Sequence, residues 1–217
     1  MPKIKAIIFD MDDTLAATSA LWKKAEENFL QWAGASYTEE LAQQYKGMNA
    51  LDIGAYIHQV TQPESLSLEQ CRSQMRECLI KEYQDRVLEM PGASNLLNLL
   101  RGNFKMAIAS GSPHIAIEKV INSNHWGGFF ETFLTSEDVK KGKPSPDVFL
   151  ATAKKLSVDP SETLVFEDSC HGAEAASRAG MTCFAVPSSE QARAQIKAHR
   201  IYNSLDEVTL QDIQHLS

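Results

Sequence analysis

Apolar residues along this chain fall into two patterns. Short unbroken runs recur at residues 4–10, 105–110, 129–135, 164–167 and 182–186. None alternates apolar with polar positions, so each predicts a strand buried on both faces. Stripes at helical spacing lie between them. Residues 93–100 follow the Pro91-Gly92 turn, and residues 115–121 follow Ser112-Pro113. Pro146 suits a first helical position with Ser145 as its cap, ahead of a stripe over residues 148–156. Residues 172–179 end at Gly180, and Ser188-x-x-Gln191 reads as a capping box. Strand and helix in alternation predict an α/β chain, a mostly parallel sheet flanked by helices.

From Ala16 to about Val87 the alternation stops, and no strand pattern is found. Leu21, Ala25, Phe29 and Trp32 form one helical stripe, and Ile53, Ile57 and Val60 another. A third run goes from the Ser67-x-x-Gln70 capping box to about Tyr83. This predicts an all-helical domain inserted after the first strand. Residues 16–87 would form the insert; residues 1–15 and 88–217 would form the sheet domain. The joins would fall at residues 16–17 and 86–90. Cys71 and Cys78 are expected on one buried helix face, and Glu26-Glu27 and Glu39-Glu40 on solvated helix surface.

Open parallel sheets bind ligands outside the carboxyl ends of their strands. The first run stops at Asp10-Met11-Asp12-Asp13-Thr14 and the second at Ser110-Gly111-Ser112. Gly142-Lys143-Pro144 follows the third, and the fourth stops at Glu167-Asp168-Ser169. Singly these have ordinary readings: a solvated turn, a turn serine, a surface lysine, a helix cap. A calcium loop is disfavoured, because Leu15 and Leu21 stand where glycine and glutamate are needed. Cys170-His171 does not make a nucleophilic pair, since adjacent residues rarely form one. Carboxylates, hydroxyls and one lysine on four strand ends make a phosphoryl-transfer site, and hard oxygen donors suit Mg²⁺.

The pieces FDMDDTL, ASGS, GKPSPD and FEDSCHG, in this order, resemble the haloacid dehalogenase superfamily. The helical insertion falls where the subfamily I cap belongs, in the branch of β-phosphoglucomutase-like proteins and sugar phosphatases. The resemblance implies a Rossmann-like core and a Mg²⁺-dependent phosphatase that works through an aspartyl-phosphate. Asp10 would be the nucleophile and a metal ligand. Asp12 would be the acid and base, with its backbone carbonyl on the metal. Asp168 would bind the metal directly, with Glu167 in or near its shell. Ser110 and Lys143 would be catalytic and would hold the phosphoryl group. Asp13 stands where many relatives carry glycine, at a position that shapes the turn.

The alternative reading is a β-phosphoglucomutase-like phosphomutase. Such a mutase is expected to carry a histidine in the first cap helix and an arginine just after a Lys-Gly pair. Here Lys46-Gly47 is present, but the arginine's place falls near Asn49-Ala50 and the histidine's near Trp22. Trp22, in Ala20-Leu21-Trp22, instead resembles the Pro-Leu-Trp of hexitol and deoxyhexose phosphate phosphatases. It would pack against a sugar face or between cap and core. A dehalogenase has no use for Asp12, and a response-regulator receiver would carry its acceptor aspartate on the third strand.

Charge and composition narrow the partners. With 21 Lys and Arg against 28 Asp and Glu, the net charge is −7, which disfavours nucleic acid and anionic membrane. No apolar run approaches the roughly 20 residues of a membrane helix, and no leader pattern opens the chain. The four cysteines form no C-x-x-C pair. The expectation is a cytoplasmic monomer whose partner is a small phosphorylated metabolite.

Overall fold

The computed structural model describes residues 3–63, 65–83 and 87–216. Among these, six parallel strands form one sheet: β1 (Ala6–Phe9), β2 (Lys105–Ser110), β3 (Thr132–Thr135), β4 (Thr163–Glu167), β5 (Thr182–Ala185) and β6 (Arg200–Ile201). Their order is β3-β2-β1-β4-β5-β6. The chain steps from β1 outward to β2 and β3, then returns to lay β4 on the other side of β1. The crevice at which this order reverses therefore lies between the ends of β1 and β4. The register pairs Phe9 with Ile108 on one side and with Phe166 on the other. Asp10 and Glu167 consequently emerge side by side.

Both faces of the sheet are covered, which explains the unbroken apolar runs. Ile7 and Phe9 point to a core shared with α5 (Ala93–Leu100), α6 (His114–Ser123) and the helices of the insert. Ala6 and Ile8 point the other way, towards α7 (Asp147–Leu156) and α8 (Cys170–Arg178). That second face is rich in alanine, with Ala107, Ala109, Ala173 and Ala176 all buried.

Among the described residues, four helices lie between β1 and α5: α1 (Ser19–Trp32), α2 (Glu39–Tyr45), α3 (Ala50–Thr61) and α4 (Leu68–Glu82). Ala25 and Phe29 are buried as the first stripe predicts, and Cys71 and Cys78 share the buried face of α4. The last residue of each of the first two stripes stays outside, Trp32 at 39% and Val60 at 48% exposure. The Ser67 capping box is fully formed. The chain leaves and re-enters the sheet side by side. Ala17 N–H donates to the Leu88 carbonyl at 2.9 Å, and Met90 N–H to the Leu15 carbonyl at 2.8 Å. Arg86, named at the second join, lies outside the described residues. Arg76 of α4 donates to Glu137, just after β3, at 2.5 Å, tying the insert to the far side of the sheet.

Several boundaries depart from the pattern. Phe129 N–H turns back to the Trp126 carbonyl at 3.1 Å, so β3 begins only at Thr132. Pro146 stands at the cap of α7 rather than inside it, and Ser145 bonds Asp147 instead of capping. The last box is shifted by one residue, with Ser189 capping α9 (Glu190–Gln195) through Ala192 N–H. Strand β6 went unpredicted because two residues, one of them Arg200, make no apolar run. The final helix is α10 (Leu210–Gln214). No helix among the described residues is long and apolar enough to cross a membrane.

Helices α3 and α4 approach closely at Gly54. A methyl group there would lie 2.5 Å from the Cys71 carbonyl oxygen and 2.7 Å from the Arg72 Cα. Both obstacles are backbone, so neither helix yields without moving. Gly54→Ala should therefore be net destabilising by about 1–2 kcal/mol, overpacking outweighing the gain of about 1 kcal/mol in helix propensity. The check is the denaturant midpoint, which should fall; a rise would mean that the helices are not in contact here.

Candidate active site

The polar strand ends meet in the crevice at the sheet's switch point. Asp10 follows β1 and is fixed at its backbone, its N–H donating to the Phe166 carbonyl at 2.9 Å. The residue is 6% exposed. Lys143, on the loop between β3 and α7, reaches under it. The ammonium donates to Asp10 Oδ1 at 2.6 Å, to Glu167 Oε1 at 2.6 Å and to the Ala109 carbonyl at 3.1 Å. All three donors of the lysine are thus used. The same nitrogen lies 4.8 Å from the centroid of the Phe149 ring, at the start of α7.

Burial alone would pull the Lys143 ammonium below its ordinary value. The charges of Asp10 and Glu167 outweigh it, and the net shift is upward. Asp10 goes the other way from a well-paired carboxylate. Burial pushes it well above the usual range, Lys143 opposes, and Glu167 and Asp12 add to the rise. Asp168 is also raised, by burial first and then by Glu167, Asp10 and Asp13. One cation is too few for this cluster. Carboxylate oxygens of Asp10, Glu167 and Asp168 lie within 4.8 Å of one another. Hard oxygen donors with excess negative charge fit a divalent cation such as Mg²⁺ or Ca²⁺. Glu167 is partly occupied elsewhere. Its second oxygen accepts from Ser169 N–H at 3.0 Å and Ser169 Oγ at 2.9 Å, so it anchors Lys143 as much as it faces the cluster.

Asp12 turns away from these groups. Its Oδ2 accepts from Ser110 Oγ at 2.9 Å and Ser112 Oγ at 2.8 Å. Its Oδ1 accepts from Thr18, Trp22 and Tyr83. The side chain of Asp12 is therefore not among the clustered carboxylates, and the metal role assigned to this residue concerns its backbone carbonyl. Asp13 sits at φ +55°, the left-handed conformation that a glycine adopts most easily. Its carboxylate accepts from Thr18 N–H at 3.0 Å and Ser19 N–H at 3.1 Å, which caps α1. Replacing the glycine of the motif keeps the turn and adds a helix cap.

A cavity of about 340 Å³ opens over Asp10, Lys143 and Asp168, with the insert as its other wall. That volume is within the range of small-molecule sites. Trp22, Glu26, Tyr37, Tyr45 and Lys46 line the insert side. Glu26 was expected on solvated surface. Instead it is half-buried, accepts from Tyr45 OH at 3.3 Å, and is pushed by burial to a pKa of about 7. Helical periodicity could not show this, because the wall across from α1 is built by α2. Tyr83 was likewise assigned no role. It ends a helix without any motif, and its contact with Asp12 is 71 residues away in the chain.

Residues 7–186 match the family model of the haloacid dehalogenase-like hydrolases. The bifunctional riboflavin kinase/FMN phosphatase of Arabidopsis thaliana is 38% identical over 136 residues, which are 61% of this chain and 36% of that protein. This chain thus spans about a third of the length of that relative. The phosphorylated carbohydrates phosphatase of Thermotoga maritima is 28% identical over 179 residues, 82% of each chain. Among solved structures, CbbY from Rhodobacter sphaeroides in complex with xylulose-(1,5)bisphosphate superposes with a TM-score of 0.84 at 22% identity. The match covers 97% of this chain and 99% of that one. At that identity the likeness is one of fold.

Gly172, in the first turn of α8, makes room for the Lys143 anchor. A methyl group there would fall 1.6 Å from Glu167 Oε1. Gly172→Ala must therefore swing Glu167 aside and leave Lys143 with one carboxylate. The expected result is a loss of about 1–3 kcal/mol in denaturant unfolding. Wild-type stability in this variant would refute the placement of Glu167 beneath α8.

Proposed function

The chain belongs to the haloacid dehalogenase-like hydrolases and has phosphatases of that family as relatives, and on that premise we propose that it is a Mg²⁺-dependent phosphatase acting on a small phosphorylated metabolite, a sugar phosphate, through an aspartyl-phosphate on Asp10. The observation that carries this reading is the Asp10 carboxylate, buried in the switch-point crevice, held by Lys143 and crowded by Glu167 and Asp168. A buried carboxylate so placed serves as nucleophile when the charge around it is offset.

Asp10, Asp168 and the backbone carbonyl of Asp12 would hold Mg²⁺. When bound, the ion offsets the carboxylate charge and polarises the phosphoryl oxygens. Asp10 attacks phosphorus while Asp12 protonates the departing alkoxide. Asp12 then takes a proton from the water that frees phosphate from Asp10. Ser110 binds a phosphoryl oxygen, and Lys143 neutralises the charge that builds up in transfer. Residues 16–87 act as a cap domain on a core of residues 1–15 and 88–217. The side-by-side crossings at Leu15–Ala17 and Leu88–Met90 would be its hinge, and closure would exclude water from the cavity. Glu26, Tyr45 and Lys46 offer polar groups to the hydroxyls of a sugar or polyol.

Metal and protons compete for the same groups, and the sign follows from the raised Asp10 and Asp168. A carboxyl raised on folding stabilises the folded state below its unfolded value, near pH 4. That contribution is lost as the pH climbs through the raised value. Mg²⁺ should therefore raise the melting temperature at pH 7 and do so less as the pH falls towards 5. Asp168→Asn should remove the increment. Chelator should abolish hydrolysis of 4-nitrophenyl phosphate, and Asp10→Asn should lower kcat by at least about 10³-fold. Full activity after exhaustive chelation would exclude the assigned site.

Phosphatase is favoured over mutase because Trp22 donates its ring N–H to Asp12, and Asn49 pairs with Asp52 at 2.6 Å. Neither holds a second phosphate as a guanidinium does. Incubation with β-glucose 1-phosphate and catalytic glucose 1,6-bisphosphate should release inorganic phosphate with little glucose 6-phosphate. Rapid glucose 6-phosphate formation without phosphate release would establish the mutase instead.

A further inference from the structure

Charge on the insert's wall of the cavity is unevenly answered. Lys23 and Glu39 satisfy each other there. The ammonium donates to Glu39 Oε1 at 2.9 Å and lies 5.0 Å from the centroid of the Tyr37 ring. Glu26, one turn further along α1, has no such partner. Among the described residues its one hydrogen bond comes from Tyr45 OH to Oε2, at 3.3 Å. Oε1 accepts from no protein group, yet the protein does not seal it off. Glu26 lines the cavity, so this oxygen is open to whatever the cavity holds. A half-buried carboxylate with one hydrogen bond is under-satisfied, and it needs a further donor.

We infer that Glu26 is a specificity-determining residue: it accepts a hydrogen bond from an uncharged hydroxyl at the end of the substrate remote from phosphorus, and it excludes a second anionic group there. This rests on the reading of the chain as a phosphatase of small phosphorylated metabolites. It narrows that class to monophosphates with a neutral, hydroxylated far end.

Tyr45 sets the geometry. Its ring is buried against Tyr56, with centroids 6.0 Å apart. Burial and then the Glu26 charge push the phenol well above its ordinary value, so it stays a donor and keeps Oε2 occupied. Oε1 is left for the ligand. The surroundings decide which ligand. Burial raises the Glu26 carboxyl to a pKa of about 7; Tyr45 opposes, Glu39 and Glu27 add to the rise, and Lys23 offsets least. Lys23 is already held by Glu39, and the exposed Lys46 bears on Glu39 as well. Across the cavity Asp10, Asp12, Asp13, Glu167 and Asp168 outnumber Lys143. A second phosphate or carboxylate at Glu26 would therefore meet a like charge whose neighbouring cation is spent. An ammonium would suit Glu26 but not Lys23 and Lys46 beside it. A hydroxyl supplies the missing donor and adds no charge. The exclusion should hold above pH 7 and fade below it, as Glu26 takes up a proton.

The test uses matched pairs that differ only at the far carbon. These are glycerol 3-phosphate with 3-phosphoglycerate, erythritol 4-phosphate with 4-phosphoerythronate, and sorbitol 6-phosphate with 6-phosphogluconate. Each compound is measured as a substrate, or as a competitive inhibitor of 4-nitrophenyl phosphate hydrolysis. Wild type and Glu26→Gln are compared near pH 8 and near pH 6, on either side of the Glu26 value. The amide keeps the shape and an acceptor oxygen but carries no charge. The ratio within a pair cancels the titration of the phosphate, which both members share. Wild type near pH 8 should favour the hydroxyl compound by about tenfold or more in at least one pair. That ratio should fall to within about threefold in Glu26→Gln and should shrink near pH 6 in wild type alone. The inference would be overturned by a ratio near one in every pair, by a ratio that survives Glu26→Gln or ignores pH, or by a preference for the carboxylates. Failure of every pair to bind, while 4-nitrophenyl phosphate is hydrolysed, would overturn it too. If that ester is not hydrolysed either, the phosphatase reading fails and the role of Glu26 falls with it.

Discussion

The arrangement turns on one buried cation. Lys143 has a side chain only 8% exposed, and it sits between carboxylates that are 8% and 1% exposed. Removing a lysine and two carboxylates from water costs several kcal/mol per ion, recovered only when the geometry and every remaining hydrogen bond are right. The fold supplies those conditions from separate elements. Strand β1 presents Asp10, β4 presents Glu167, and the Ala109 carbonyl on β2 takes the third lysine donor. Phe149 closes the underside, and Gly172 leaves space for the glutamate. A single parallel sheet in the order β3-β2-β1-β4-β5-β6 brings these pieces to one crevice. The charge balance is left short of neutral, which makes the crevice receptive to a cation.

That shortage explains why the strand ends were legible in the sequence. A crevice of this kind needs acids after the first and fourth strands, a hydroxyl after the second and a lysine after the third. Buried parallel strands announce themselves as unbroken apolar runs, so the residues that end them stand out. Asp10, Asp12, Ser110 and Asp168 were each singled out in this way, and Lys143 from the loop that follows the third run; the structure brings all five to the same cavity wall or its immediate neighbours. Glu167 was read as a neighbour of the metal. Its position shows a second demand that sequence adjacency to Asp168 could not reveal, since Lys143 and Ser169 both draw on its oxygens.

The insert was legible as helix and illegible as site. Periodicity says which residues face inward, but not what they face. Glu26 and Glu27 are alike in sequence, yet α2 covers one and leaves the other in water. Tyr83 ends a helical stripe as a packing residue would, and its hydroxyl partner lies on the first strand's loop. Trp22 could be read as a surface for sugar or as plain packing between cap and core. Its ring nitrogen has a third use, as a donor to Asp12. Short elements were missed for a different reason. Strand β6 owes its existence to the neighbouring edge of β5, and nothing in a two-residue segment can encode that by itself.

A division of labour follows from where the partners of each aspartate come from. Asp10 is held from the sheet, through Lys143 and the backbone of β4. Among the described residues these bonds do not involve the insert, although the insert walls the cavity above. Asp12, two residues on, is held by the sheet side and the insert at once. Ser110 and Ser112 hold one oxygen from the sheet side, and Trp22 and Tyr83 hold the other from the insert. Changes in the insert can then reshape the cavity wall without disturbing the bonds that hold Asp10. They cannot leave Asp12 untouched, because Trp22 of α1 both lines the cavity and donates to its carboxylate. Residues of the insert that touch Asp12 are thus under a constraint that cavity-lining residues such as Glu26 and Lys46 escape, and the cavity wall is free to vary only around them.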